Sequence, residues 1–577
     1  MRKLLRRFFL FVIQVVVFLL ATAFSYVFFT EVFSIGGPGM RAYFPLVASL
    51  VTGGVIALIA HEIANTDKDI KRGERLVPTW KVRLLSWWKT LGDPYPFFFG
   101  GVWYPHATGE KSLAAVGAPS TGKTVNIRLF LQSTMPRIGI IPDHRALIYD
   151  ASNDSFPVLA GMGIDVSEER GLVRTLHPFD QRAWAWEISL DLQDFRTIDE
   201  IAVIFIPIQE TGDPFWSNSA RSLLKGVLKA HNASGKPWTL YDVCTDMRSL
   251  DRMKQILEDT EETRHLIERI LEKGKASEGI DATLYSYMER YEVIAAIWNK
   301  IPSEQRMSIT EWLHDPDGSI LLLGRAVKGT AHDALNHLFI ERLGQIISTQ
   351  QTLSETRRTW IVIDEIRQSG KLKLDPIATM GRARGAILVI GYQDQAGLRD
   401  AIGADVSDEL LGMCQSKIFF YLGTASTAEY AAQQIGRQEY TDENGVVKER
   451  FVVYPSEFTS IHHIPETNRR NGCTFYVKSV TYGVYKRRLR GRRLFDEMLR
   501  PKDTSVAGFI ERPASDQYFL GTVGEPEKDT QEREMEKPRQ IEYVEPEKQR
   551  DEADERANAA RDVRKRQKEA RDRHRER

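Results

Sequence analysis

The stretch Gly117-Ala118-Pro119-Ser120-Thr121-Gly122-Lys123-Thr124 constrains this chain more than any other. It stands between the apolar run Leu113-Ala114-Ala115-Val116 and a segment, Val125 to Phe130, that can continue as a helix. Strand, glycine loop and helix in that order form the setting of a phosphate-binding P-loop. Glycine lets backbone N–H groups turn inward around phosphate oxygens, and the helix N-terminus adds partial positive charge. Lys123 is spaced to reach the β- and γ-phosphates, and the Thr124 hydroxyl to hold Mg²⁺. The pattern therefore predicts ATP with Mg²⁺. A glycine turn without a ligand would not need this strand before it and this helix after it.

The second half of such a site is expected at Thr359-Trp360-Ile361-Val362-Ile363-Asp364-Glu365, a buried strand ending in two carboxylates. Mg²⁺ keeps several waters and takes few protein carboxylates, which suits Asp364 acting through water. Glu365 would polarise the attacking water as general base. By itself an apolar strand ending in Asp-Glu is common; its meaning comes from sharing one α/β pattern with the P-loop. The strand Ala386 to Tyr392 closes on Gln393, either a solvated strand end or a group brought near the γ-phosphate. Arg382 and Arg384 precede that strand. Each is either a cation at a helix end or an arginine finger directed at a neighbouring subunit's phosphate.

Around these motifs the chain reads as an α/β protein. Strands are expected at 145–150, 172–176, 319–323 and 417–421, and helices at 198–206, 216–231, 331–348 and 427–435. Near-continuous apolar strands alternating with helices predict a parallel sheet covered on both faces. Residues from Pro237 to Gly318 carry helical periodicity and no convincing strand, and so read as an all-α insertion. The expected organisation is a two-span anchor (1–64), a connector (65–108), a first nucleotide-binding part (109–236), the all-α domain (237–318), a second nucleotide-binding part (319–510) and a tail (511–577). The connector's Trp87-Trp88 suits either a membrane interface or core packing. The tail is acidic and then basic, with too few apolar residues to bury a core, so disorder is expected there.

The N-terminus predicts a membrane anchor. Phe8 to Phe29 is almost wholly apolar and long enough to cross a bilayer. A second run, Tyr43 to Ala60, follows a short loop. Arg2, Lys3, Arg6 and Arg7 precede the first run, and Lys68, Lys71, Arg72 and Arg75 follow the second. The positive-inside rule then places both ends in the cytoplasm. A cleaved signal peptide fits less well, because its apolar region would be too long and no small-residue cleavage site follows closely.

With 78 basic and 78 acidic residues the chain carries no net charge, so any nucleic-acid contact must come from a local patch or a pore. The densest patch is Lys486 to Arg493, either a phosphate-binding cluster or a solvated strand edge. The three cysteines, Cys244, Cys414 and Cys473, have no metal-ligand spacing and suggest a reducing compartment. His61-Glu62 begins like a zinc-protease motif, but Asn65 stands where the second histidine would be. His462-His463 has no partnering ligand nearby in sequence.

Two N-terminal runs, a P-loop near residue 120, a helical insertion and a late Asp-Glu strand together resemble the type IV secretion coupling proteins, the conjugative coupling ATPases. Leu176-His177-Pro178-Phe179-Asp180, Phe215-Trp216 through Leu224, and Gly381-Arg382 through Gln393 resemble further segments of that family in order and spacing. The resemblance covers roughly residues 1 to 500. It implies a RecA-like P-loop NTPase domain with an all-α inserted domain. It also implies a homohexameric ring at the bacterial inner membrane, with Arg382 completing a neighbour's ATP site. Such a ring would move relaxase-bound DNA to a type IV secretion channel, with relaxosome proteins and inner-membrane channel components as partners. One departure is plain: Asp150-Ala151-Ser152-Asn153 lacks the lysine that the family usually carries after its second strand. Two other readings compete. A chromosome-segregation translocase of the FtsK type would carry a C-terminal winged helix, and an ATP-gated membrane scaffold would need neither Glu365 nor Arg382.

Overall fold

Alternate residues of the central strands enter two different cores. Ala114 and Val116, Leu147 and Tyr149, Ile361 and Ile363, and Leu388 and Ile390 face one; Leu113 and Ala115, Ala146 and Ile148, Trp360 and Val362, and Ile387 and Val389 face the other. Side chains alternate across a strand, so a strand apolar at every position must be covered on both sides. The computed structural model describes Gly54 and residues 70–517, except 193, 210–212, 272–273, 326–329, 350–351, 355, 370–371, 443 and 462–471. The expected spans 8–29 and 43–60 (Gly54 aside), His61-Glu62, His462-His463 and the tail past 517 lie outside the described residues. Among the described residues no helix is long and apolar enough to cross a membrane.

Among the described residues the main sheet has nine strands: β1 (Leu113–Val116), β2 (His144–Asp150), β3 (Val173–Thr175), β4 (Ile320–Gly324), β5 (Arg358–Ile363), β6 (Ala386–Tyr392), β7 (Ser416–Phe419), β8 (Cys473–Ser479) and β9 (Gly483–Leu489). Their spatial order is β9-β8-β7-β1-β6-β5-β2-β4-β3. From β7 to β3 every pairing is parallel. The β8–β9 hairpin then joins β7 antiparallel, so the expected parallel sheet is mixed at one edge.

The helices used below are α1 (Thr79–Thr90), α2 (Lys123–Thr134), α3 (Ser155–Gly161), α4 (Phe195–Phe205), α5 (Phe215–Ala233), α6 (Leu240–Met247), α7 (Leu250–Glu258), α8 (Glu261–Leu266), α9 (Lys275–Asn299), α10 (Ile309–His314) and α11 (Thr330–Thr349). In α5 the residues Ala220, Leu223, Leu224, Val227 and Leu228 are all buried, as their helical spacing predicts. This stripe packs on α6 to α9. The helical layer therefore begins at α4 and α5, before residue 237, because their apolar faces are shared with the helices that follow. Within it, Arg306–Met307 pairs in parallel with Ala185–Trp186, a short strand where none was expected. Asp191 secures this junction: its carboxylate accepts hydrogen bonds from Trp186 Nε1 (2.6 Å), Ser308 Oγ (2.7 Å) and the first backbone N–H groups of α10 (2.8 and 2.9 Å).

Two boundary segments belong to the folded body. In the connector, a hairpin of Phe97–Phe99 and Val102–Tyr104 buries Phe97, Phe99 and Tyr104 in the second core. Ile70–Gly73 pairs with Arg437–Thr441 in a separate three-stranded sheet. At the other end, the chain from Arg500 to Arg512 crosses the ends of β2 and β3. Arg500 donates to the Met162 carbonyl, Asp503 N–H to the Pro157 carbonyl, and Arg182 to the carbonyls of Ala507 and Gly508. Arg512 is buried, and Lys300 reaches Asp516, so packing continues past residue 511.

Candidate functional site

The strand register brings three sequence-distant ends to one level. Val116 lies opposite Tyr392, and Ile363 opposite Ile390. The next residues, Gly117, Gln393 and the pair Asp364-Glu365, therefore meet at the C-terminal edge of β1, β6 and β5. In open α/β sheets this edge is where ligands bind. Gly391 permits the close approach: a Cβ there would lie 2.0 Å from the Asp364 carbonyl oxygen.

The loop from Gly117 to Gly122 is tied down at both ends. Gly117 N–H donates to the Tyr392 carbonyl (3.1 Å) and Ala118 N–H to the Tyr421 carbonyl (3.0 Å). Thr121 Oγ1 donates to the Ala118 carbonyl at 2.7 Å. Gly122 has φ of 108°, a conformation open to glycine, and Ser120 adopts φ of 59°. α2 starts at Lys123, so its unpaired N-terminal N–H groups face the loop's interior. Ala118, Pro119, Ser120, Gly122, Lys123 and Thr124 line a cavity of about 780 Å³ together with Asp364, Glu365 and Gln393. That volume suits a cofactor-sized ligand.

Inside the cavity Lys123 Nζ donates to Glu365 Oε2, and Gln393 Nε2 donates to the same oxygen at 3.0 Å. Lys123 and Glu365 are both buried. Glu365 Oε1 and Asp364 Oδ1 are buried with no hydrogen-bond partner among the described residues. Burial raises the Asp364 pKa, while nearby Lys123 and a hydrogen bond with the Thr124 side chain pull it back. Two orphaned carboxylate oxygens beside a threonine hydroxyl fit a hydrated divalent cation, because burying such oxygens unpaired is costly.

Arg382 is not brought to this place. It is exposed and precedes β6, whereas Gln393 follows it. A seven-residue strand separates them, roughly 20 Å at 3.3 Å per residue. Arg382 does not line the cavity of its own chain.

Among the lining residues that sequence reasoning missed are Phe495 and Lys502, from a part of the chain far from the motifs. Lys502 Nζ pairs with Asp154 Oδ2, next to the Asp150-Ala151-Ser152-Asn153 segment that lacks a lysine of its own. Arg128 on α2 donates to the Arg500 carbonyl at 3.1 Å, which holds this stretch beside the cavity. Only the positive charge of Lys502 could have drawn notice, and charge is abundant in that part of the chain. Asp150 itself is absorbed locally: its buried carboxylate accepts from Ser155 N–H (2.7 Å) and Asp154 N–H (3.2 Å) at the start of α3. The His177-Pro178-Phe179-Asp180 segment also serves this crossing chain. Arg512 N–H donates to the Phe179 carbonyl, and Asp180 forms a buried ion pair with Arg182 at 2.7 Å.

Comparisons with known proteins agree with this architecture. The sequence model of one family, described as the type IV secretion-system coupling protein DNA-binding domain, matches residues 96–447. Coupling protein TraD of Escherichia coli (strain K12) is 24% identical over 334 residues, which is 56% of this chain and 43% of TraD. The chain thus spans less than half the length of that curated relative. Among solved structures, unbound TrwBΔN70, a bacterial conjugative coupling protein, superposes with a TM-score of 0.60 at 21% identity over 77% of this chain and 98% of its own. TrwB with ADP and Mg²⁺ superposes with a TM-score of 0.59 at 21% identity over 77% and 97%. At such identities the structures establish the fold alone, an α/β sheet domain with a helical domain as in TrwB. With a family match spanning more than half its length, the chain belongs to the type IV secretion-system coupling proteins.

Proposed function

We propose that this protein is an ATP-driven motor that passes DNA to a type IV secretion channel during conjugative transfer. The observation that carries the reading is the meeting of Lys123, Glu365 and Gln393 on one carboxylate oxygen inside a P-loop cavity. The loop N–H groups, the start of α2 and Lys123 would hold the nucleotide's phosphates. Thr124 and Asp364 would hold Mg²⁺, which supplies charge neutralisation at the transferred phosphoryl group. Glu365 would take a proton from the attacking water, and Gln393 would hold that carboxylate in place. TrwB was solved with ADP and Mg²⁺, and this supports the same ligands here.

Arg382 fits a role between subunits. Set at the far end of β6, it would complete a neighbouring chain's site in a homohexamer. The two N-terminal apolar runs would anchor the ring in the inner membrane, with the motor and both termini cytoplasmic. The matched family's description supports DNA as the substrate that is moved. Relaxase, relaxosome proteins and inner-membrane channel components would be its partners, and the charged tail would recruit some of them.

The test is ATP turnover by the full chain in uncharged detergent, with and without single-stranded DNA. DNA-stimulated hydrolysis that disappears in Lys123→Ala and Glu365→Gln supports the motor. Tight ATP binding without turnover in any DNA condition overturns it in favour of an ATP-gated scaffold.

A further inference from the structure

A second large cavity, about 1010 Å³, opens between α1, the 97–104 hairpin and β9. Its rim is cationic, with Arg83, Arg487, Arg488, Arg490, Arg492 and Arg493. Glu497 lines it too, at 3.9 Å from Arg493. Arg487 is half-buried, and its Nε is buried with no hydrogen-bond partner among the described residues. Burial, with Arg83 and Arg493 nearby, lowers its pKa, and an anion among these charges would relieve both costs. Apolar Phe98, Val102, Leu129, Leu489 and Met498 line the same cavity, together with polar Ser86, Gln132 and Ser133.

The neighbouring surface is as unusual. α1 buries only Val82 and Ser86, and exposes Trp80, Leu84, Trp87 and Trp88, with Leu91 just beyond it. It is held rigidly all the same. Ser86 Oγ donates to the Trp103 carbonyl (2.7 Å) and accepts from Trp103 N–H (3.0 Å), while Thr79 Oγ1 donates to the Lys486 carbonyl (2.8 Å). Tryptophan prefers the membrane–water interface, where its ring meets lipid and its N–H meets water. α1 begins at Thr79, shortly after the second apolar run ends at Ala60.

We propose that this cavity seats the headgroup phosphate of an anionic phospholipid, with the arginines on the phosphate, the apolar lining residues against the glycerol and upper chains, and the α1 tryptophans in the interfacial layer. Three features together select this occupant: clustered cations, apolar lining residues, and exposed tryptophans that follow the predicted anchor closely in sequence. A single-stranded nucleic acid would also meet the cations and could stack on the tryptophans, but the start of α1 shortly after the predicted anchor in sequence favours lipid. The inference rests on the membrane-anchored reading, which sedimentation of the full chain with membranes tests separately.

The experiment uses the full chain in uncharged detergent and acyl-labelled phosphatidylglycerol, followed by fluorescence anisotropy. Arg488, Arg490 and Arg492 are exposed, so their combined replacement by alanine should leave the fold intact, checked by the melting curve. Each basic group near anionic lipid contributes about 1 kcal/mol, about fivefold, so phosphatidylglycerol affinity should fall tenfold or more in the triple alanine variant. It should recover in the triple lysine variant, and acyl-labelled phosphatidylcholine should bind weakly and equally to all. Unchanged phosphatidylglycerol affinity in the alanine variant overturns the proposal. So does equal binding of the two lipids, or displacement by millimolar inorganic phosphate, which would mark a small-anion site. Loss of single-stranded DNA affinity with lipid affinity intact would overturn it in favour of a nucleic-acid surface.

Discussion

The Lys123 ammonium and the Glu365 carboxylate, separated by 242 residues, form a buried ion pair at the mouth of the P-loop. The ammonium has three donors, and in this structure one of them is spent on Glu365. On the proposed mechanism, nucleotide entry would exchange that partner for phosphate and free Glu365 to act on water.

That exchange separates two variants. Lys123→Ala should weaken nucleotide binding and abolish turnover. Glu365→Gln should bind ATP at least as tightly as the parent, because no buried ion pair has to be broken, yet hydrolyse it at least about 100-fold more slowly. Fluorescent-nucleotide titration alongside steady-state turnover measures both. Weaker binding in Glu365→Gln would contradict the exchange.

Gln393 bonds to Glu365 and not to the P-loop lysine. Gln393→Ala should lower kcat by roughly 10- to 100-fold with little change in KM, since the base loses its orientation while the phosphate cradle stays. A raised KM at unchanged kcat would place Gln393 on the nucleotide instead.

Arg382 stands a full strand away from its own chain's cavity. Arg382→Ala should lose about 10³-fold or more in kcat while still binding nucleotide. Mixed with inactive Lys123→Ala under conditions of subunit exchange, it should regain measurable hydrolysis. Some interfaces would then pair an intact P-loop with an intact Arg382. Mixtures that stay inactive would remove Arg382 from the neighbour's site.

Lys502 and Asp154 pair beside the nucleotide cavity, each about 40% exposed. A pair so exposed adds little to stability, so Lys502→Ala should melt within about a degree or two of the parent. If the ammonium also meets nucleotide, KM for ATP should rise severalfold, and Lys502→Arg should restore it. An unchanged KM would leave Lys502 a purely structural tie.

His106 and His144 stack with ring centroids 5.5 Å apart, and each has its pKa lowered to about 4. Burial is the main cause for both; Arg358 adds repulsion to each, and the two rings repel one another when charged. Both are neutral in the fold at pH values where the unfolded chain, near 6.5, binds protons. Between about pH 6.5 and 4 the unfolded state therefore holds more protons, and stability falls as pH falls through that window. The thermal midpoint should drop between pH 7 and 5, and His144→Gln should drop less steeply. Identical slopes would assign the acid sensitivity to other groups.

Much of the architecture could be read directly. The glycine loop announces itself because a phosphate cradle needs backbone conformations and a helix start within eight consecutive residues. The strands at 145–150, 359–363 and 386–392 announce themselves because burial on both faces confines polar side chains such as Arg145, Asp150 and Thr359 to their ends. The limits of the helical layer were harder. α5 lies before residue 237, and nothing local marks its stripe as packing on α9 rather than on the sheet. The 97–104 hairpin was read as connector because strands of three residues carry too little periodicity to assign.

By itself, the sequence determined the glycine loop between strand and helix, the carboxylate-ended strand and the doubly covered sheet. Each depends on residues that are neighbours in the chain, or on a repeat that burial imposes locally. The tertiary structure alone decided which of these parts touch. The order β1-β6-β5 sets Gln393 and Lys123 on Glu365, and the same strand direction carries Arg382 to the opposite edge. The return of the chain past residue 500 places Lys502 against Asp154, 348 residues away. Such contacts arise from how the sheet is ordered and how its faces are filled, and neither leaves a periodic trace in the sequence.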